Sequence, residues 1–223
     1  MKEFELKNSD PEDIEDVLKK VEISFDFEFL DDELLHLKTF GELCDHIINK
    51  IQLIHSDDCT SQQAFYKIRN AISKSLHLDP KAIAPDTSLA AILPSNDRRS
   101  RIKNIEMILG FKLHILRPPY WIVITLLVLS VASVVGLFIK FSIGVAGLAL
   151  SISGFWLAFK TGNVLNLQTV GQLTEKITRE NYLKSRRNPK TFNKQEVEKL
   201  LIDLFSDGLD LEKSKLTREA TFN

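Results

Sequence analysis

The sequence predicts an all-α protein made of two similar small helical bundles and a two-helix membrane hairpin. Three observations carry this reading. From Tyr120 to Phe159 the only charged side chain is Lys140. Outside that stretch, apolar residues recur at three- and four-residue spacings, the pattern of helices with one buried face. Short motifs also repeat across the polar parts at constant offsets, which marks an internal repeat.

The chain opens with a polar, acidic segment, Met1 to Asp10, that has neither an apolar core nor a small-residue cleavage site. No signal or transit peptide is expected there, and membrane targeting falls to the hairpin. Leu18, Val21 and Phe25 form the apolar side of a first helix that runs into an aromatic alternation at Phe27 and Phe29. Thr39-Phe40-Gly41-Glu42-Leu43 has capping-box spacing, in which a threonine caps the N3 amide and a glutamate reaches back. Phe40, Leu43, Ile47 and Ile51 continue the helix it opens. After a polar linker, Ile68, Ile72 and Leu76 predict a helix of about four turns leading into a loop with Leu78 and Ile83. Ile102, Ile105, Leu109, Phe111 and Leu113 again spell a helix running into an alternation. Beyond the hairpin, Thr169-Val170-Gly171-Gln172-Leu173 opens a second capped helix, and Leu201, Phe205, Leu209, Leu211 and Leu216 describe a last helix and loop.

The hairpin follows from length. A hydrocarbon core of roughly 30 Å takes about 20 apolar residues of helix, and Trp121–Ile139 and Phe141–Phe159 each supply that much around Lys140. Arg117, Tyr120 and Trp121 mark the entry and Trp156 and Lys160 the exit, as interfacial aromatics and flanking cations do. Arg98, Arg99, Arg101, Lys103 and Lys112 precede it, while Lys176, Arg179, Lys184, Arg186, Arg187 and Lys190 follow it. The positive-inside rule therefore puts both flanks and both termini in the cytoplasm, with two spans in an inner (plasma) membrane. Gly136, Gly144, Gly147 and Gly154 line the arms with small residues, which join the arms to each other or join protomers into a homo-oligomer. No ionisable residue lies deep in either span, so no transport path is expected. The net charge of −1 conceals a division: −11 over 1–59, +6 over 60–117, +6 over 118–190 and −2 over 191–223. Cys44 and Cys59 lack CxxC spacing and read as structural thiols of a reducing compartment.

Three pairs define the repeat. The pattern T-[FV]-G-[EQ]-L occurs at Thr39 and Thr169. Phe65–Leu89 aligns with Glu198–Phe222 without a gap at an offset of 133 residues, so Ile68, Ile72, Leu76, Leu78 and Ile83 match Leu201, Phe205, Leu209, Leu211 and Leu216. Leu18, Val21, Phe25, Phe27 and Phe29 match Ile102, Ile105, Leu109, Phe111 and Leu113, also without a gap. Taken as helix-plus-loop, helix and capped helix, these pieces resemble the acyl carrier protein family. Leu76-His77-Leu78-Asp79-Pro80 resembles its turn after helix I, and Ile83-Ala84-Pro85-Asp86-Thr87-Ser88-Leu89 its I-T-P-D-S-S-L loop. The resemblance implies one carrier-like bundle from 1–56 with 192–223, a second from 60–117 with 165–183, and the hairpin 119–160 inserted into the second. The first is then circularly permuted, its helix I being the last helix of the chain, or else that helix is exchanged between protomers.

A working carrier of this family bears 4'-phosphopantetheine on a serine at the start of helix II, within Asp-Ser-Leu. Register puts Ser95 at that position, between Pro94 and Asn96, and Pro11 at the corresponding place in the first bundle. Ser95 reads either as the attachment hydroxyl or as a helix N-cap; Pro11 can carry nothing. Glu12, Asp13, Glu15 and Asp16 give the first bundle an acidic helix II, which reads as a partner-binding face or as a dipole-favoured helix start. Arg98, Arg99 and Arg101 give the second bundle a partner face of opposite sign. The histidines show no ligand spacing, and no P-loop, GxGxxG or G-x-S-x-G occurs, so no metal, cofactor or catalysis is expected. The run Lys184 to Lys190 lacks interleaved aromatics and points to anionic headgroups rather than nucleic acid. The expectation is a non-enzymatic membrane-anchored scaffold that binds protein partners at the cytoplasmic face. Its alternative is a functional tethered carrier modified at Ser95.

Overall fold

A computed structural model describes residues 9–30 and 32–222. Most of the Met1–Asp10 leader reading, and the chain ends at Met1 and Asn223, lie outside these residues. The chain is all-α. In order it forms α1 (Pro11–Phe25), α2 (Phe40–Lys50), β1 (Ile54–His55), α3 (Thr60–Leu76), α4 (Leu89–Ile92), α5 (Arg98–Leu109), β2 (Leu116–Arg117), α6 (Tyr120–Ile139), α7 (Phe141–Thr161), β3 (Val164–Leu165), α8 (Val170–Glu180), α9 (Tyr182–Ser185), β4 (Thr191–Phe192) and α10 (Lys194–Gly208). Each strand is a two-residue stitch: β1 pairs in parallel with β4, and β2 antiparallel with β3. Two compact units result, Met1–Asn70 with Thr174–Asn223, and Ala71–Leu173. The division falls inside α3 and α8, which the sequence reading assigned whole to the second bundle.

In the first unit, α1 begins where Asp10 caps it, accepting the Glu12 amide at 3.0 Å, with Pro11 supplying its preset φ at the first position. It ends where Asp26 turns left-handed at φ 55°. Val17, Val21 and Phe25 are buried at four-residue spacing. The α2 capping box forms as its residues dictate: Thr39 Oγ1 accepts the Glu42 amide at 3.2 Å, and the Glu42 carboxylate accepts from the Lys38 and Thr39 amides. Those two amides hold the Glu42 carboxyl below its usual range. Val197, Leu201, Leu204 and Phe205 of α10 close on this face in one core with Val21, Phe25, Phe40 and Ile47. The Phe40 and Phe205 rings meet edge to face at 5.2 Å. Cys44 lies in this core, where burial pushes its thiol up to about 12. The last helix of the chain thus completes the core begun by the first. Above it, Glu33 pins the loop before α2, accepting from Lys50 Nζ at 2.6 Å and the Leu30 amide at 2.8 Å, and these bonds take its carboxyl down to about 2.

The repeated motifs build the same local structure in both units. Ser73 Oγ donates to the Leu78 carbonyl at 2.7 Å and Ser206 Oγ to that of Leu211 at 2.6 Å, each across a left-handed residue, His77 at φ 54° and Asp210 at φ 51°. A 3-10 turn follows each, Pro80–Ala82 and Lys213–Lys215, and delivers Ile83 and Leu216 into burial. The loop then clasps the capped helix through backbone bonds. In the first unit, Phe40 N donates to Ala220 O (2.8 Å), Gly41 N to Arg218 O (2.8 Å) and Phe222 N to Lys38 O (3.0 Å). In the second, Val170 N donates to Thr87 O (3.0 Å), Gly171 N to Pro85 O (2.7 Å) and Leu89 N to Gln168 O (2.8 Å). Glycine is needed at both contacts, since a Cβ on Gly41 would lie 2.7 Å from Arg218 O and one on Gly171 3.0 Å from Pro85 O. The third pair agrees as well. Glu22 accepts the Phe29 amide at 2.6 Å and Glu106 that of Leu113 at 2.9 Å, each folding the chain back after a left-handed helix end at Asp26 or Gly110.

Within the second unit, α6 and α7 run as a tight hairpin turning at Lys140. Gly144 packs against Leu137, Gly147 against Ser133 and Gly154 against Leu126, so their small residues join the two arms. Both helices are long and apolar enough to cross a membrane, with mean hydropathy 2.9 and 1.7. Most of their outward side chains, Phe138 and Ile139 among them, are exposed.

Replacing the fully buried Phe205 by alanine should cost about 3–5 kcal/mol. Hydrogen exchange is the measurement: amides of α1 and α2 should lose protection together with those of α10. Persistent protection of α1 and α2 would show that α10 does not close their core.

Candidate functional site

The residues singled out by the sequence fall into two groups, one in each unit. In the first unit Glu12, Asp13, Glu15 and Asp16 are all exposed on α1 and form no ion pair among the described residues. The first two lie in the opening turn, where their charge also favours the helix dipole.

In the second unit the sequence reading holds that helix II begins near Ser95. Here α5 begins at Arg98, and residues 95–97 form a turn ahead of it. Ser95 is not an N-cap: that position belongs to Asp97, whose carboxylate instead takes Arg101 Nε at 2.7 Å. The Ser95 hydroxyl is exposed and without a partner among the described residues, while its carbonyl accepts from Asn163 Nδ2 at 2.7 Å. Arg98 reaches the Leu93 carbonyl through Nε at 2.8 Å and the Asn163 carbonyl through a terminal nitrogen at 2.5 Å. Arg99 donates to the Lys160 carbonyl. Arg101 also donates to Ile92 O at 3.2 Å. These guanidiniums do more than present charge. Arg98 and Arg99 satisfy carbonyls at and just past the C-terminal end of α7, which the helix leaves unpaired and its dipole makes negative. Ser95, Arg98, Arg99, Lys160 and Asn163 therefore form one cluster at the exit of the apolar hairpin.

Beside it, the antiparallel β2–β3 stitch pairs Leu116 with Leu165 and Arg117 with Val164, holding the entry of α6 next to the exit of α7. Arg117, Tyr120, Trp121, Trp156 and Lys160 are exposed around these ends, and Lys160 Nζ lies 4.4 Å from the Trp156 ring centroid, a cation–π contact. Lys140 is exposed at the opposite end of the hairpin.

One polar centre escaped the sequence reading. Arg186, expected in a basic run facing headgroups, is fully buried in the first unit. Its guanidinium donates to Thr60 Oγ1 (2.5 Å), Tyr182 Oη (3.2 Å), Thr191 Oγ1 (3.2 Å) and the carbonyls of Asp58 (3.3 Å) and Ser56 (3.4 Å), with Glu196 at 3.6 Å. Glu196 accepts the Thr60 amide at 2.9 Å. Tyr182 Oη accepts the Asn193 amide at 2.9 Å, and burial raises its hydroxyl above the usual range. Lys67 Nζ donates to the carbonyls of Lys184 (2.6 Å) and Arg186 (3.0 Å), and partial burial lowers its ammonium below the usual range. The network ties the linker before α3 to the segment between α9 and α10. Its partners come from scattered positions, so no local motif announces it. Beside it a cleft of about 450 Å³ is lined by Cys59, Arg179, Glu196, Lys199 and Asp203. Cys59 is exposed, unlike Cys44, so only one of the two thiols sits in a core.

Arg186→Met should cost about 3–5 kcal/mol, because Glu196 and several buried acceptors lose their donor. Arg186→Lys should recover little, since a single ammonium cannot span acceptors arranged around a planar fork. Urea titration of both variants checks this, and a lysine variant as stable as the parent would refute it. Comparison of the chain with family models, with curated proteins and with solved structures finds no match.

Proposed function

We propose that this protein is a non-enzymatic membrane-anchored scaffold in which two carrier-like helical units, one of them permuted, bind protein partners at the cytoplasmic face of an inner membrane. The observation that carries the reading is the same loop-to-helix clasp built twice, from Arg218–Phe222 on Lys38–Gly41 and from Pro85–Leu89 on Gln168–Gly171, without the Asp-Ser-Leu attachment motif in either unit. The first unit has Pro11 at the attachment position and a free acidic face on α1. The anchor rests on the exposed apolar sides of α6 and α7: in a helix buried within a water-soluble fold these residues would be covered, whereas lipid covers them at no cost.

A second reading is a functional tethered carrier. The exposed, unpartnered Ser95 hydroxyl in the turn before α5 favours it. Intact mass after co-expression with a broad phosphopantetheinyl transferase separates the two. The scaffold reading expects an unchanged mass. A gain of about 340 Da, the size of that group, that disappears in Ser95→Ala would establish the carrier instead.

Orientation has its own test, based on the cations flanking the hairpin. Phe141→Cys, beside Lys140, should react with an impermeant thiol reagent in intact cells, while Cys59 should not. Because Cys59 is exposed on the folded chain and Cys44 is buried with a raised thiol, protection of Cys59 reports the membrane barrier and Cys44 adds no background. Labelling of Cys59 with protection of Phe141→Cys would invert the orientation and remove the cytoplasmic units.

A further inference from the structure

On α5, Arg99, Lys103 and Glu106 follow at four- and three-residue spacing and so share one side of the helix. Alongside runs the segment from Lys112 to Leu116, in which Leu113 and Ile115 are buried and Lys112 and His114 are exposed. His114 takes a left-handed φ of 47° between its two buried neighbours, so its imidazole is held out by the backbone that anchors them. Between the helix and this segment lies a groove of about 520 Å³ whose lining combines the polar Arg99, Ser100, Lys103, Glu106, Lys112 and His114 with the apolar Ile102, Ile115 and Leu116.

The charge in the groove is one-sided. Glu106 is the one carboxylate in the lining, and both its oxygens are engaged, by Lys112 Nζ at 3.0 Å and by the Leu113 amide at 2.9 Å. Lys103 and His114 have no partner among the described residues, and Lys112 Nζ stays largely exposed beside its carboxylate. Arg99 is fixed at the same level by its bond to the Lys160 carbonyl. The groove also opens at the foot of the hairpin: Leu116 and Arg117 pair with Leu165 and Val164, three residues before α6 begins and three after α7 ends.

We infer that this groove binds the phosphate headgroup of an anionic phospholipid, with Lys103, Lys112 and Arg99 supplying charge and Ser100 and His114 further hydrogen bonds. The inference rests on α6 and α7 spanning the bilayer, because headgroup phosphates then lie at the level of β2 and β3. A lipid, rather than a soluble anion, is the ligand because its acyl chains can lie along the exposed apolar sides of α6 and α7 while its phosphate enters the groove.

The test uses the full chain reconstituted in phosphatidylcholine vesicles with and without phosphatidylglycerol, reading bound lipid after detergent extraction by native mass spectrometry. Phosphatidylglycerol should be retained in preference to phosphatidylcholine. Lys103→Gln with Lys112→Gln should reduce that preference about 30-fold, from about fivefold for each cation near the surface. Lys213→Gln, in the other unit, should leave it unchanged. Since the Lys112 side chain is largely exposed and Glu106 keeps the Leu113 amide when Lys112 is changed, the double variant should fold normally, which circular dichroism verifies. Glycerol phosphate added in excess should not displace the lipid; if it competes fully, the groove is a soluble-phosphate site and the lipid assignment falls. Equal retention of both lipids, or an unchanged preference in the double variant, removes the site while leaving the anchor. Failure to float with pure phosphatidylcholine vesicles removes the anchor and the site together.

Discussion

The fold depends on one constraint used twice: a loop segment must lie against the start of a capped helix and exchange backbone hydrogen bonds with it. The two partners are far apart in sequence in both cases. Lys38–Gly41 waits for Arg218–Phe222, so the chain cannot complete its first unit until its last residues arrive. Pro85–Leu89 waits for Gln168–Gly171, so the second unit cannot close until the chain has passed through α6 and α7 and returned. Unmade, each clasp would leave amides and carbonyls of a partly buried segment unpaired, at a cost larger than a made bond returns. Gly41 and Gly171 are fixed by the same geometry, because a side chain there would meet the carbonyl that the glycine amide itself bonds.

Return through the hairpin imposes a second condition, met by the β2–β3 stitch. For Thr169 to reach Ser88, the chain must leave α7 close to where it entered α6. Two antiparallel residue pairs, the Asn166 amide on the Ile115 carbonyl at 3.1 Å, and the Arg98 and Arg99 guanidiniums on the α7 terminus do this. Small residues let the arms approach closely along their length, with Gly147 leaving room for Ser133. The result is a hairpin whose two ends are no more separable than the strands that clamp them.

What the sequence made legible was chemistry that acts over short spacing. Thr39 with Glu42 and Thr169 with Gln172 form their caps because three residues of helix bring hydroxyl and amide together whatever the surroundings. Ser73 and Ser206, and Glu22 and Glu106, lie inside the aligned segments without being singled out there, and they build matching bonds because each closes within about one or two turns of its own chain. The hairpin was legible because absence of charge needs no partner to interpret. What stayed hidden has distant partners. Arg186 reads as a surface cation in Lys184 to Lys190, yet Thr60, Tyr182, Thr191 and Glu196 enclose it. Ser95 reads as the attachment hydroxyl or as a helix N-cap, but α5 starts later, Asp97 takes the cap position, and Asn163 holds the turn by its backbone. Both cysteines read as structural thiols, yet Cys44 lies on the buried face of α2 while Cys59, just before α3, is exposed.

The basic balance of residues 60–190 therefore overstates the positive surface. Arg98, Arg99 and Arg101 give hydrogen bonds to backbone carbonyls, Lys67 caps the end of α9, and Arg186 is enclosed. A guanidinium bound to a carbonyl keeps its charge but loses donors and freedom of position, so it steers an approaching anion without rearranging to grip it. Lys103 retains both, Lys112 keeps donors beyond its bond to Glu106, and the His114 ring is without a partner among the described residues. Charge and available donors thus part company within the same stretch of sequence, and they come together again only along the outer side of α5 and the segment that follows it. There the chain has one engaged carboxylate, and the next residues are Pro118 and Pro119, which end the β2 stitch and start α6. That side of α5 therefore adjoins the foot of the hairpin, so the donors left available in the second unit lie next to its apolar helices.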